Sequence, residues 1–292
     1  MREMVTIDAG FLASRIKPRP AESHKGNYGK LLIVGGSRGY TGAPVIAARA
    51  ALRTGAGIVF LSAPECIYQI QASRCVEEVC TPLASDENGL VAKAAEQILS
   101  GNVAYDACVV GPGLGSGDGA AEVVYRLIHG FARPLVVDAD GINAVSRNID
   151  ILRERTGETV LTPHEVEFQR LGGDLSAGRE HGAVELAARL GAVVVLKGHR
   201  TVTAGPDGSV FVNTTGNPGM ATGGSGDALA GVIGSLLGQG LSALDAAVCG
   251  VYIHGLAGDI AAAELGEFGM LPSDLIAKLP YTLKQFSSRS YN

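Results

Sequence analysis

A chain of 292 residues is long enough for one large α/β domain or two small ones, and its 46% hydrophobic content allows a sizeable core and argues against a disordered chain. A net charge of −5 with no basic run argues against nucleic acid and against an anionic membrane surface as partners. No apolar run is read as approaching the length of a membrane span, Met1–Ala9 lacks the apolar core of a secretion signal, and Cys66, Cys75, Cys80, Cys108 and Cys249 show no Cys-x-x-Cys spacing, so a reducing cytoplasm is the expected compartment.

In chain order, short β-branched runs alternate with helical patterns. The predicted strands are Lys30–Val34, Ile58–Ser62, Ala107–Gly111, Leu135–Asp138, Thr159–Leu161 and Val193–Lys197, followed by a hairpin of Thr201–Ala204 and Ser209–Val212 around Gly205-Pro206-Asp207-Gly208. The predicted helices are Ala43–Thr54, Gly119–His129, His164–Leu171, Ala177–Leu190, Asp227–Leu237, Ser242–Glu264 and Pro272–Phe286. Ala107–Val110 and Leu135–Val137 are apolar on both faces, as central parallel strands covered on each side are. With no internal repeat and no Ser/Pro-rich linker, the expected architecture over residues 1–292 is α/β: a single three-layer α/β/α sandwich with a mostly parallel central sheet. The apolar stretch Ala243–Ala263 has two readings, a cover for that sheet or an interface between copies.

Five polar or glycine-rich loops follow predicted strands. They begin at Gly35-Gly36-Ser37, Gly111-Pro112-Gly113, Asp138-Ala139-Asp140, Thr162-Pro163-His164 and Lys197-Gly198-His199. In open α/β sheets that carboxyl edge is where ligands bind. A sixth stretch, Asn213–Asp227, is rich in glycine and opens directly into the small-residue run Ala228–Leu237. Glycines let backbone N–H groups converge on one point, and a helix N-terminus adds unpaired N–H groups and the positive end of its dipole. Gly223, Gly224, Ser225 and Gly226 are therefore a candidate anion hole, with phosphate its usual guest. Asp227 beside them is either a helix N-cap or a base acting on an acceptor hydroxyl. His164 is either a polar residue flanking a helix or a ligand contact. Lys197 is either a snorkelling strand-edge residue or a neutraliser of phosphate. Asp138 and Asp140 are either N-caps or neighbours of a metal-bound phosphate. The histidines show no metal-ligand spacing, so no structural metal is expected. A phosphate-binding Gly-x-x-x-x-Gly-Lys-[Ser/Thr] motif is absent, and Gly115-x-Gly117-x-x-Ala120 lies outside the first βα unit, where a dinucleotide fingerprint works.

These blocks, in this order, resemble the ADP- or ATP-dependent NAD(P)H-hydrate dehydratases, a branch of the ribokinase-like superfamily. The most specific is Asn217–Asp227. The others are Gly35-Gly36-Ser37 with Thr41-Gly42-Ala43, Gly111–Gly115, Leu161–His164 and Lys197–Val202, so that the likeness covers nearly the whole chain. The family often has Pro-Gly after the histidine of Leu161–His164, where this chain has Glu165-Val166, a difference that bears on the local turn and the path of Glu167. The resemblance implies a ribokinase-like fold and repair of hydrated NADH or NADPH, the S-epimer, by phosphorylation of the ring hydroxyl and loss of phosphate. It implies Asp227 as base and substrate contact, Ala43, Gly113 and His164 as further substrate contacts, and Lys197, Gly198, His199, Arg200, Thr201 and Gly226 around the adenine nucleotide, with Mg²⁺ bridging its phosphates. It further implies a homotetramer. The epimerase domain often fused ahead of this unit in the family is not visible, so a stand-alone dehydratase is expected. The alternatives are a small-molecule kinase of the same superfamily, acting on a vitamin-precursor alcohol, and a nucleotide-binding regulator without turnover.

Overall fold

The computed structural model describes residues 4–287. Among these, ten strands form one sheet: β1 (Met4–Thr6), β2 (Lys30–Val34), β3 (Ile58–Pro64), β4 (Val79–Leu83), β5 (Ala107–Val110), β6 (Leu135–Val137), β7 (Thr159–Leu161), β8 (Val193–Leu196), β9 (Val202–Ala204) and β10 (Val210–Val212). Their order is β1-β10-β9-β8-β7-β6-β5-β2-β3-β4. From β8 to β4 every neighbouring pair is parallel, and β9 alone runs antiparallel to both its neighbours.

Two cores flank the sheet, because consecutive strand residues face opposite sides. Leu31, Ile33, Val109, Val136, Val160 and Val195 pack under α2 (Ala43–Thr54), α9 (Ser225–Gly238), α10 (Ala243–Leu265) and α11 (Pro272–Ser287). Leu32, Val34, Val110, Val137, Leu161 and Val194 pack against α4 (Lys93–Leu99), α5 (Asp118–Gly130), α6 (Asp140–Val145), α7 (Glu165–Arg170) and α8 (Arg179–Leu190). The expected three-layer sandwich is what forms, and Ala243–Ala263 is used to cover the sheet. Helix α10 corrects the expectation about membrane-length runs: at 23 residues and a mean hydropathy of 1.4 it is long and apolar enough to cross a membrane, although 67% of that window is buried inside the fold.

Three predicted strands run one residue too far. β5, β6 and β8 stop before Gly111, Asp138 and Lys197, which turn out of the ladder at the carboxyl edge. Both edge strands escape the periodicity reading. β1 is three exposed residues, and β4 carries Pro82, which an edge tolerates because one side of its backbone needs no ladder partner. The short helices α1 (Ala9–Arg15), α3 (Tyr68–Ala72) and α4 are too brief for a helical period to stand out.

Beneath the candidate anion hole, α9 lies directly on α2. A Cβ added to Gly231 would stand 2.0 Å from the carbonyl oxygen of Ala47, so the two backbones touch where no side chain fits. Gly231→Ala is therefore expected to lower stability by roughly 1–3 kcal/mol, the usual cost of overpacking. A lowered denaturant midpoint at unchanged slope is the expected reading, and an unchanged midpoint would show that the two helices separate freely.

Candidate active site

The sheet has one topological switch point. The chain leaves β2 for β3 and β4, then returns to β5 on the opposite side of β2. Loops after β2 and β5 therefore part in opposite directions and leave a crevice at the carboxyl edge. The two loops are pressed together at its floor. The Gly36 N–H donates to the Pro112 carbonyl at 2.9 Å, and a Cβ on Gly35 would lie 2.4 Å from that oxygen. Gly113, at φ +61, brings its backbone against the start of α2: an added Cβ would stand 3.2 Å from the Cβ of Ala43. Ala43 and Gly113, which share no sequence neighbourhood, thus meet at the switch point.

A charged cluster sits at the ends of β6, β7 and β8. Asp138 is 1% exposed. Its Oδ1 accepts from Thr162 Oγ1 at 2.7 Å and from Lys197 Nζ at 3.0 Å, while its Oδ2 is buried with no hydrogen-bond partner among the described residues. Lys197 Nζ also lies 3.8 Å from Glu167 Oε2. Glu167 is aimed there by a capping box: its N–H donates to His164 Nδ1 at 3.2 Å, and its Oε2 accepts from the His164 N–H at 2.8 Å. Burial works against the Lys197 charge, but Asp138 and Glu167 outweigh it and hold the ammonium above the ordinary lysine range. Burial pushes the Glu167 carboxyl up, with Lys197 opposing.

These contacts settle several alternatives. Lys197 does not snorkel; it is the shared counter-ion of two buried carboxylates. Asp138 caps no helix, because its carboxylate is turned inward to Lys197, and the N-cap position of α6 falls to Ala139 at φ 47. Gly111 permits that turn, since a Cβ there would lie 1.8 Å from the Asp138 carbonyl. Asp140 stands in the first turn of α6 and accepts from the Gly115 N–H at 2.9 Å, tying the β6 loop to the β5 loop. His164 is the exposed N-cap of α7, and its Nε2 lies 3.4 Å from Glu167 Oε1. The Glu165-Val166 pair leaves this box intact. Glu165 itself pairs with Arg179, whose Nη2 donates to the carbonyls of Leu196 and Lys197 at 3.1 Å each. Beyond them Gly198, His199 and Arg200 are exposed, Arg200 takes φ 56, and Thr201 Oγ1 closes the turn onto the Gly198 carbonyl at 3.0 Å.

Helix α9 begins at Ser225, two residues before the predicted start, with Gly224 at φ +97 as an N-cap that has no side chain to offer. Asp227 is consequently inside the first turn and caps nothing. The space before it is open: a Cβ on Gly223 would meet nothing within 4 Å, and one on Gly226 would meet only Lys197 Nζ, at 3.4 Å. Of the four expected anion-hole residues, Gly226 lies beside the Lys197 ammonium and Gly223 and Gly224 precede the helix, whereas the Ser225 N–H is already donated to the Thr222 carbonyl at 3.3 Å and is a correction to the expected set. The Asp227 carboxylate makes no hydrogen bond or ion pair with another described residue. Burial first, then the charge of Asp138, push it up to about 7, with Lys197 pulling the other way. A carboxyl that titrates near neutrality, next to an open helix N-terminus, can accept a proton from a hydroxyl held there.

Glu167, Arg179 and His254 are the members that sequence reasoning did not place. The spacing His164-x-x-Glu167 at a helix start was the available signal for Glu167. His254, on α10, is buried with Nε2 3.0 Å from the Ser225 carbonyl oxygen, and nothing local in the sequence marks it. Among the described residues no group of three or more His, Cys, Asp or Glu is arranged to hold a metal ion.

Known proteins share this arrangement of chain and fold. A family model described as NAD(P)H-hydrate dehydratase matches residues 31–281. The bifunctional NAD(P)H-hydrate repair enzyme of Moorella thermoacetica is 42% identical over 283 residues, 95% of this chain and 53% of that protein. The ADP-dependent (S)-NAD(P)H-hydrate dehydratase of Neisseria meningitidis is 37% identical over 257 residues, 86% of this chain and 83% of that protein. The chain thus spans about half the length of the bifunctional relatives it matches. Among solved structures, the ADP/ATP-dependent NAD(P)H-hydrate dehydratase of Bacillus subtilis, co-crystallised with ATP and Mg²⁺, superposes with a TM-score of 0.85 at 29% identity, covering 98% of this chain and 100% of that one.

The raised carboxyl has a thermodynamic signature. Relative to its ordinary value of 3.8, Asp227 keeps its proton in the folded state up to about 7. Between those values the unfolded chain has lost a proton that the folded chain retains, so this group's contribution to stability falls as pH rises from about 4 to about 7. Asp227→Asn should therefore be more stable than wild type at pH 8, with the difference shrinking as pH is lowered towards 4. Denaturant midpoints across that range test it, and a pH-independent difference would contradict it.

Proposed function

The chain belongs to the NAD(P)H-hydrate dehydratase family, with the ribokinase-like fold, and we propose that it uses ADP or ATP to dehydrate the S-epimer of hydrated NADH or NADPH back to the reduced cofactor. The observation that carries this reading is the pairing of an open helix N-terminus with a carboxyl poised near neutrality, Asp227.

Hydroxide is a poor leaving group, and phosphate is a good one. In the proposed first step Asp227 takes the proton of the ring hydroxyl while that oxygen attacks the terminal phosphorus of the nucleotide. The new O–P bond forms as the bridging P–O bond breaks, leaving AMP from ADP or ADP from ATP. The N–H groups of Gly223, Gly224 and Gly226 and the Lys197 ammonium stabilise the negative charge spread over the phosphoryl oxygens in flight. The ring nitrogen lone pair then expels phosphate, a proton leaves the neighbouring ring carbon, and the C=C bond is restored. Ala43, Gly113 and His164 line the path of the dinucleotide from the switch point. Gly198, His199, Arg200 and Thr201 follow Lys197 and take the adenine nucleotide.

The residues fit a cation carried in on phosphates better than one caged by protein: the unpartnered Asp138 Oδ2 offers a hard oxygen at the cluster, while among the described residues no three-ligand group stands there. Mg²⁺ would neutralise phosphate charge, with Asp138 and Asp140 the candidate holders. A homotetramer and a cytoplasmic location are part of the same proposal. Exposed Leu265, Phe268 and Leu271, around the end of α10, favour association between copies, and five free cysteines fit a reducing compartment.

Incubation of the protein with hydrated NADH and Mg²⁺, giving ADP and ATP in turn, tests the function. Recovery of the reduced-nicotinamide absorbance only when nucleotide is present is the expected result, while a stable phosphoester accumulating from vitamin-precursor alcohols would place the protein among small-molecule kinases. Asp227→Asn should lose most turnover, roughly the 10²–10⁴-fold typical of a general base, while still binding nucleotide. Near-normal turnover in that variant would remove Asp227 as the base.

A further inference from the structure

An anion hole works only if its N–H groups point to one place before the anion arrives, yet the segment that would supply them is rich in glycine, with Gly216, Gly219, Gly223, Gly224 and Gly226 between β10 and Asp227. Between β10 and α9 the backbone has only one short 3₁₀ turn, Pro218–Met220. Its order comes from outside, from one arc of α10. The Asp259 carboxylate accepts from the Gly216 N–H at 2.9 Å and from Asn217 Nδ2 at 3.0 Å. Thr215 Oγ1 lies 3.0 Å from the Tyr252 carbonyl oxygen. Gly255 and Gly258 let the loop approach: a Cβ on Gly255 would lie 2.2 Å from Thr215 Oγ1, and one on Gly258 2.4 Å from Met220 Sδ. These contacts hold the early part of the segment.

At the far end, where Gly224 lies against Ile46 and Pro272, one side chain bonds the backbone. His254 is 7% exposed, with Nε2 3.0 Å from the Ser225 carbonyl oxygen. A carbonyl only accepts, so the imidazole carries a proton on Nε2. Burial pulls its pKa down to about 4, and the ring is neutral in the working range. The Ser225 C=O and the Gly226 N–H belong to the same planar trans peptide unit, on opposite sides of it. Gripping the oxygen therefore fixes the direction of the N–H. Polarising that peptide also makes the N–H a stronger donor. Gly226 is the residue whose missing Cβ faces Lys197 Nζ, immediately before Asp227.

We propose that His254 is a positioning residue for phosphoryl transfer: through the Ser225 carbonyl it sets the Gly226 N–H that receives the phosphoryl oxygens. This rests on the dehydratase reading for its substrate but on α10 for its geometry.

The test compares His254→Leu, which fills the space without a donor, with His254→Gln, whose Nε2 reaches the same oxygen. Under Mg·ADP and hydrated NADH, His254→Leu should lower kcat roughly tenfold to a hundredfold, below the ~10²–10³ for outright loss of an oxyanion donor, because the N–H is misdirected and not removed. KM for ADP should stay within about twofold, since Gly198–Thr201 are untouched, and His254→Gln should recover most of kcat. If His254→Leu does not fold, His254→Asn, one methylene too short, takes its place. A folded Leu or Asn variant with wild-type kcat would overturn the proposal, as would Leu and Gln variants losing kcat equally in step with their melting temperatures. A readout free of turnover is the Gly226 amide resonance in protein labelled with nitrogen isotope at glycine. On addition of Mg·ADP it should move in wild type and move less in His254→Leu; equal movement in both overturns the proposal. Wild type without cofactor recovery but with that difference in amide response would count against the dehydratase reading and leave His254 in its role.

Discussion

Among the described residues, Lys197 is the cation shared by buried carboxylates at the carboxyl edge of the sheet, and the site is organised around it. Asp138 holds it by a direct bond and Glu167 from slightly farther off, while Asp227 is influenced by its charge without pairing to it. One ammonium does not neutralise three carboxylates in a partly dry site. Burial first, and then the charge of Asp138, hold the proton of Asp227 up to about 7. Removing Lys197 would strand Asp138 and Glu167, and breaking a buried pair from one side typically costs about 3–5 kcal/mol. Stability and reactivity are thus tied to the same side chain.

Backbone approach supplies the second half of the design. Gly35 and Gly111 lie where a side chain would strike the neighbouring strand-end loop, and Gly231 lets α9 lie on α2. Together they bring five strand-end loops and one helix terminus onto a single rim. Gly223 and Gly226 differ from these, because the room beside them is not taken by backbone. On the proposed function glycine there leaves room for a guest, and α10 supplies the rigidity that glycine lacks.

Much of this was legible in the residues. Both-face apolar runs such as Ala107–Val110 gave the parallel centre of the sheet, and punctuation by glycine at strand ends marked the rim. The readings that needed correction share a cause. Strand predictions ran into Gly111, Asp138 and Lys197 because apolar periodicity does not register where a chain turns out of a ladder. Asp227 and Asp138 fitted the N-cap pattern, but capping is decided by backbone angles, and Gly224 and Ala139 hold those positions. The helix Ser242–Glu264 and its apolar character were read from the sequence, but with Asp245 and Asp259 inside it no uninterrupted apolar run marked it as long and apolar enough to cross a membrane. Contacts between distant segments, Glu167 with Lys197 and His254 with Ser225, leave no local trace in a single chain.

The account turns on Asp227 being a carboxyl that titrates near neutrality because burial, and then the charge of Asp138, outweigh the pull of Lys197. Infrared difference spectra of carboxyl-labelled protein, compared between wild type and Asp227→Asn to isolate this group, measure that directly. The account predicts a carboxyl midpoint at about 7 in wild type, moving higher when Lys197 is replaced by Met. A midpoint in the ordinary aspartate range, or one unmoved by Lys197→Met, would contradict it.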